Sequence, residues 1–142
     1  MTIAAILNGK GHEVVQIAPD ASLQEAAGLL AERRIGCVPV VDGGKVIGIL
    51  SERDIVRSVG KGGGGALAQP VRDLMTSPAV TITSDVAVIS ALSLMTRRRI
   101  RHLPVLDGSR MVGFVSIGDL VKYRIDRIEA EAAAMRDYIQ SV

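Results

Sequence analysis

Two serine–aspartate pairs have the residue types and spacing that best suit ligand chemistry in this chain. Ser51 and Asp54 lie three positions apart after a short apolar run that begins with glycine, and Ser116 and Asp119 repeat the arrangement. Each serine is expected to cap a helix N-terminus, where free N–H groups and a partial positive charge favour a phosphate. Each aspartate, on the same helical face, could accept both hydroxyls of a ribose. A capping box of purely structural value, about 1 kcal/mol, is the alternative.

A second pair of elements lies where a helix is expected to give way to a strand. It reads Ile35-Gly36-Cys37 in the first half of the chain and Ile100-Arg101-His102 in the second. Free backbone N–H and C=O groups at such junctions could read the edge of an adenine ring, and aliphatic side chains could cover its faces. Alternatively, Cys37 and His102 are ordinary residues of β-hairpins.

Arginines supply the candidate phosphate partners. Arg97, Arg98, Arg99 and Arg101 fall within five positions, and Arg53 lies inside the first serine–aspartate pair. Arg53 and Arg101 are nearest the two motifs, so we expect them to contact phosphate. The alternative is that the cluster offsets the dipole at the C-terminal end of a helix.

Composition argues against several other functions. One cysteine and two histidines are too few for a Cys- or His-based metal centre, and 2% aromatic residues argue against base stacking on single strands. A net charge of +2 is weak evidence for a nucleic-acid partner. The common catalytic motifs are missing, so we expect no enzyme and no catalytic cofactor. A small nucleotide-converting enzyme that uses Cys37 or His102 is a further alternative.

The sequence also bears on location. Its longest apolar runs are about five residues, far short of the ~20 that span a bilayer, and no export leader is recognisable. We therefore expect a cytoplasmic protein with no membrane partner.

The motifs recur because the chain contains a tandem repeat. At an offset of 65, residues 20–56 align without a gap with residues 85–121, and 14 of the 37 positions are identical. Each copy reads as a β-α-β-β-α unit that is marginal alone, so the two copies are expected to pack together in an α+β fold. The expected parts are a first repeat (1–59), a flexible glycine-rich linker (60–69), a second repeat (70–125) and a C-terminal helical extension (126–142). The first copy is expected to begin with the strand Val14–Ile17, and the second copy with the strand Val80–Ile82.

The extension has apolar residues at the a and d positions of a heptad pattern. They are Val121, Ile125, Ile128, Ala132, Met135 and Ile139. This pattern is typical of a helix that dimerises or docks a partner. The alternative is a long helix that lies back on its own domain.

Together, the repeat, the Gly-x-x-Ser-x-x-Asp pairs and the strands Val38-Pro39-Val40-Val41-Asp42 and Leu103-Pro104-Val105-Leu106-Asp107 resemble the tandem CBS domain pair, or Bateman module. The resemblance covers about residues 3–125. The overall plan of the chain is similar to that of stand-alone bacterial two-CBS-domain proteins. It implies two βαββα units packed as a pseudo-two-fold pair, with clefts that bind AMP, ADP, ATP, NAD(H) or S-adenosylmethionine, and commonly a homodimer.

The resemblance also implies roles for individual residues. The two aspartates would hold ribose and the two serines would touch phosphate. Adenine would be framed by residues near the helix–strand junctions and the leading strands, namely Ile35, Gly36, Cys37, Ile100, Arg101, His102, Val15 and Val80. Because Gly118 leaves room for a phosphate whereas Glu52 would repel one, we expect the site of the second copy to be the better one. The resulting hypothesis is a non-catalytic nucleotide sensor for an unknown regulated protein; the alternative is a ligand-free structural dimerisation module.

Overall fold

Five α-helices and two small sheets make up residues 1–141, the part of the chain that this computed structural model describes. The expected α+β fold is confirmed. The last residue of the expected extension, Val142, lies outside the described residues. In chain order the elements are α1 (Ile3–Lys10), α2 (Leu23–Arg33), β1 (Cys37–Asp42), β2 (Lys45–Ser51), α3 (Glu52–Gly62), β3 (Ile82–Thr83), α4 (Val88–Arg98), β4 (His102–Asp107), β5 (Arg110–Ser116) and α5 (Ile117–Ser141).

Each repeat is built around a β-hairpin. Strands β1 and β2 are antiparallel with Cys37 opposite Ser51, and β4 and β5 are antiparallel with His102 opposite Ser116. The same register in both copies places each junction residue beside the serine that begins the next helix. The hairpins therefore bring the two kinds of motif together within each unit.

The leading strands are shorter than expected. In the second unit β3 pairs in parallel with β4 over two residues, Ile82 and Thr83. In the first unit the stretch 14–17 is reduced to an isolated bridge between Ile17 and Val40. The two sheets contact each other through β2 and β5.

Two segments pack against the opposite unit, namely α1 at the start of the first repeat and residues 66–71, where the linker meets the second repeat. Helix α1 buries Ile3 and Leu7 in the core of the second unit, and the N–H of Ile3 donates to the carbonyl of Val86 at 2.9 Å. In the first unit, Ala66 and Val71 complete the core in the same way. Residues from outside each repeat thus complete the core of each unit, an exchange that the sequence did not predict.

The glycine-rich segment 60–69 differs from the expected flexible linker. Helix α3 continues to Gly62, and a 3₁₀ helix follows over Gly63–Ala68. Ala66 is buried, and the N–H of Leu23 donates to the carbonyl of Gln69 at 2.9 Å. The segment is ordered because it contributes to the first core.

Helix α5 begins within the second unit and then leaves it. Leu120 is fully buried, but from Asp126 to Ser141 every side chain except half-buried Ala133 is exposed. This part of the helix does not lie back on its own domain, so that alternative is wrong. Within residues 1–141, no helix is long and apolar enough to cross a membrane.

Candidate functional site

A cavity of about 400 Å³ opens where the two units meet, a size typical of small-molecule sites. One wall comes from the first unit, where β2 passes into α3, and the opposite wall comes from the stretch before β3 and the junction before β4. The lining residues are Gly36, Cys37, Ile49, Ser51, Glu52, Arg53, Asp54, Arg57, Thr76, Pro78, Ala79, Val80, Arg99, Ile100, Arg101 and His102.

Asp54 is the buried carboxylate of the cavity wall, with 5% of its surface exposed. Its Oδ2 accepts hydrogen bonds from the N–H of Ser51 at 2.9 Å and from the Oγ of Ser51 at 3.1 Å. Its Oδ1 accepts a bond from the Oγ1 of Thr76 at 3.1 Å, and the Nη1 of Arg57 lies 3.6 Å away. Because the N–H of Asp54 also donates to the Oγ of Ser51, the capping box expected as an alternative is present. These bonds hold the carboxylate in a fixed orientation.

The helix–strand junctions use some of the backbone groups that we expected to be free. The carbonyl of Gly36 accepts a bond from the N–H of Glu52 at 2.9 Å, and that of Arg101 accepts one from the N–H of Ile117 at 2.7 Å. The expectation of free carbonyls is therefore wrong at Gly36 and Arg101. These bonds join each helix–strand junction to the start of the helix that follows the hairpin. The junction and the serine–aspartate motif of one unit are therefore held side by side.

The charges of the cavity favour an anion. Four arginines, Arg53, Arg57, Arg99 and Arg101, line it, and all are exposed. Two carboxylates oppose them. One is the bonded Asp54, and the other belongs to Glu52, whose carboxyl carbon would lie 3.6 Å from a Cβ placed on Gly36. Guanidinium groups in such number around a helix N-terminus suit a phosphate or pyrophosphate.

Cys37 and His102 are both uncharged at neutral pH. Burial, with a contribution from the nearby Asp54 charge, raises the pKa of the Cys37 thiol to about 12. Burial and the positive charge of Lys10 lower the pKa of His102, against an opposing effect of Asp119. The His102 ring stacks on Phe114 with centroids 5.5 Å apart. A neutral thiol is a poor nucleophile, whereas a neutral imidazole can both donate and accept a hydrogen bond.

The second serine–aspartate motif lies outside this cavity. The Oδ2 of Asp119 accepts a bond from the Nζ of Lys10 at 2.6 Å, and the same Nζ donates to the carbonyl of Phe114 at 2.7 Å. The N–H of Ser116 also donates to Oδ2 at 2.8 Å. Burial alone would raise the pKa of Asp119, but the bonds from Lys10 and Ser116 outweigh it and lower the pKa. A lysine from α1 thus occupies the carboxylate that we expected to bind ribose.

The structure places most of the residues predicted from the sequence together. Nine of the fourteen line the cavity: Gly36, Cys37, Ser51, Arg53, Asp54, Val80, Ile100, Arg101 and His102. Five do not: Val15, Ile35, Ser116, Gly118 and Asp119. We preferred the motif of the second copy, whereas the cavity is built on that of the first. The ligand contacts of all fourteen stay predictions.

Sequence reasoning missed Arg57 and Thr76, and it named Arg99 only as a member of the arginine cluster, without expecting it to contact phosphate as it did Arg101. Arg57 follows Asp54 by three positions on α3 and was recognisable as its helical neighbour. Thr76 gave no signal, because its contact with Asp54 spans 22 residues. Among residues 1–141, no group of His, Cys, Asp and Glu side chains is arranged to hold a metal ion.

Comparisons with known proteins agree with one another. The sequence model of the CBS domain matches residues 11–61 and 71–126. The CBS domain-containing protein YhcV of Bacillus subtilis is 33% identical over 122 residues, which are 85% of this chain and 86% of that protein. The CBS-domain containing protein ATU1752 from Agrobacterium tumefaciens has a crystal structure that matches with a TM-score of 0.84 and 40% identity, over 87% of this chain and 99% of that one.

A further solved structure contains ligands. The CBS domain pair of protein MJ0100 was solved in complex with 5′-methylthioadenosine and S-adenosyl-L-methionine. It matches with a TM-score of 0.76 and 26% identity, over 87% of this chain and 98% of that one.

Proposed function

The chain belongs to the CBS-domain family as a tandem pair, and on that premise we propose that it is a non-catalytic sensor of an adenine nucleotide. The ligand, AMP, ADP, ATP or NAD(H), binds in the cavity between the two repeats. Stand-alone CBS-pair proteins are generally regulatory, and the solved MJ0100 pair holds two adenosine-type ligands. Both points support the proposal.

The observation that carries the proposal is the combination of size, charge and apolar surface in one cavity. About 400 Å³ accommodates a small ligand, and the four arginines provide charge for its phosphates. In this proposal Ser51 touches phosphate, Asp54 accepts the ribose hydroxyls, and Val80, Ile100 and the neutral His102 surround adenine.

Ligand binding would be transmitted through packing. Both units contribute to the cavity wall, so a ligand that prefers one arrangement of the units shifts the population toward it. By linkage, that shift changes the affinity for a regulated partner protein. We place this sensor in the cytoplasm as a homodimer.

The protonated state of Cys37 argues against a nucleotide-converting enzyme that uses this residue, because the thiolate is the nucleophilic form of cysteine.

Thermal unfolding with added nucleotides tests the proposal. The wild-type chain is titrated with AMP, ADP, ATP and NADH, and one of them is expected to raise the melting temperature. A ligand at 100 times its Kd stabilises the folded state by about 2.7 kcal/mol. If none of them stabilises the chain, the proposal fails and the ligand-free dimerisation module takes its place, a function that the exposed face of α5 favours.

A matched pair of variants locates the site. Asp54→Asn is expected to abolish the nucleotide-dependent shift, whereas Asp119→Asn, the same change at the equivalent position, is expected to keep it. Circular dichroism and urea unfolding of both variants establish that each is folded. Loss of the shift in Asp119→Asn alone would move the site to the second repeat.

A further inference from the structure

Between Val121 and Ile139, α5 carries an apolar face whose side chains are exposed in the structure of residues 1–141. Leu120 anchors α5 in the core of its own unit. Because successive residues of a helix are ~100° apart around its axis, the apolar face lies about a quarter turn from Leu120. We call this face the α5 seam. It consists of Val121 (42% exposed), Ile125 (49%), Ile128 (50%), Ala132, Met135 (60%) and Ile139 (65%).

The spacing of the seam is that of a coiled coil. Its members alternate at intervals of four and three, with Ile125, Ala132 and Ile139 at a positions and Val121, Ile128 and Met135 at d positions. Two helices that supercoil at this repeat keep such a seam facing each other over its whole length.

Charges beside the seam select both the occupant and its orientation. In a parallel, in-register pair, each g residue faces the e residue five positions later in the other helix. Arg124 then faces Glu129 of the second copy, and Glu131 faces Arg136 of the second copy. Both contacts join opposite charges and each occurs twice, because the same residues recur on both helices.

The antiparallel arrangement is disfavoured by the same residues. If Val121 faces Ile139 so that the full seam is covered, Lys122 comes beside Arg136. In that arrangement Glu129 and Glu131 also come close to their own counterparts. Like charges flank the seam along most of its length, which opposes pairing.

We propose that residues 121–139 bind the same residues of a second copy as a parallel, in-register two-stranded coiled coil. The seam covers itself, and the chain supplies both signs of every flanking ion pair. None of the seam residues lines the nucleotide cavity, so this inference does not depend on nucleotide binding.

Sedimentation equilibrium of the full chain measures the pairing, and charge variants test its register. Glu129→Arg is expected to weaken the dimer about tenfold, because two attractive pairs become repulsive. Arg124→Glu combined with Glu129→Arg restores opposite signs and is expected to recover wild-type affinity. Asp137→Arg, at the outward f position, is the control and should leave the dimer unchanged.

Disulfide trapping tests orientation. Under glutathione oxidation, Ile128→Cys is expected to form a covalent dimer, since equal d positions face each other only in a parallel pair. Asp137→Cys should remain uncrosslinked, and the buried native Cys37 should not contribute. A monomer at all concentrations, a dimer that survives Ile128→Asp, or crosslinking between positions 121 and 139 in a mixture of single-cysteine variants would overturn the proposal.

Discussion

Replacing Leu7 with alanine tests whether α1 belongs to the core of the second unit. Leu7 is 1% exposed, and its side chain covers Gly113 of β5, where an added Cβ would approach the Cγ of Leu7 to 3.2 Å. Leu→Ala in a core costs about 2–5 kcal/mol, with the larger values where the surroundings cannot collapse. Because a glycine lies opposite, no side chain can fill the space, so we expect a loss of about 3–5 kcal/mol.

The same contact makes a second substitution informative. Gly113→Ala alone is expected to cost about 1–3 kcal/mol, because its methyl group collides with Leu7. In the Leu7→Ala background that methyl enters the vacated space. The two effects should then be less than additive, with a coupling of about 0.5–3 kcal/mol.

Urea unfolding followed by far-UV circular dichroism gives the free energies for the four-member cycle. Ile89 on α4 is 64% exposed, so Ile89→Ala is the control and should stay within about 0.5 kcal/mol of wild type. Hydrogen exchange at Val88, whose N–H donates to the carbonyl of Met1 at 3.0 Å, should accelerate in Leu7→Ala. Additive free energies, or a Leu7→Ala variant as stable as the control, would refute the packing of α1 on the second unit.

Three shorter predictions concern single contacts. Lys10→Met should raise the pKa of Asp119 toward its ordinary value in a carboxyl NMR titration. The pKa of Asp119 is lower in the folded chain than in the unfolded chain, so this group stabilises the fold above the unfolded pKa, and the stabilisation is lost as the pH falls through the folded pKa. The variant should therefore lose up to about 1 kcal/mol of unfolding free energy at neutral pH and less in acid. An unmoved pKa of Asp119 would contradict the ion pair. Cys37 should resist iodoacetamide at pH 8 in the folded chain and react in urea, because its pKa is about 12; rapid labelling of the folded chain would contradict its burial. Gly48→Ala should cost about 1–3 kcal/mol in urea unfolding, because the new Cβ would lie 2.9 Å from the backbone oxygen of Thr76, and a neutral result would show that this close approach is absent.

Local patterns predicted the parts of the fold that depend on short-range physics. The hairpins follow from short apolar runs on either side of the glycine turns, and the N-cap at Ser51 follows from the Ser-x-x-Asp spacing. Because the repeat duplicated both signals, the sequence also predicted that each copy would carry a helix–strand junction and a serine–aspartate motif at equivalent positions. Nine of the candidate residues meet in one cavity for that reason.

Long-range contacts could not be predicted. Nothing in the apolar run Ile3–Leu7 indicates which unit it packs against. The glycines of residues 60–65 predict a flexible linker, whereas burial of Ala66 in the first core keeps this segment ordered. The contact that occupies Asp119 of the second motif could not be predicted for the same reason. Lys10 reaches Asp119 across 109 residues, and no spacing rule connects them.

The exchange of helical segments between the units has a consequence for how the chain folds during synthesis. The first unit has all its core residues once Val71 has left the ribosome, so it can close early. The second cannot close until β5 and Leu120 have emerged, and until then the apolar side of α1, made first of all, has no partner. The earliest segment is therefore among the last to find its place, and the nascent chain is most open to misassociation in that interval.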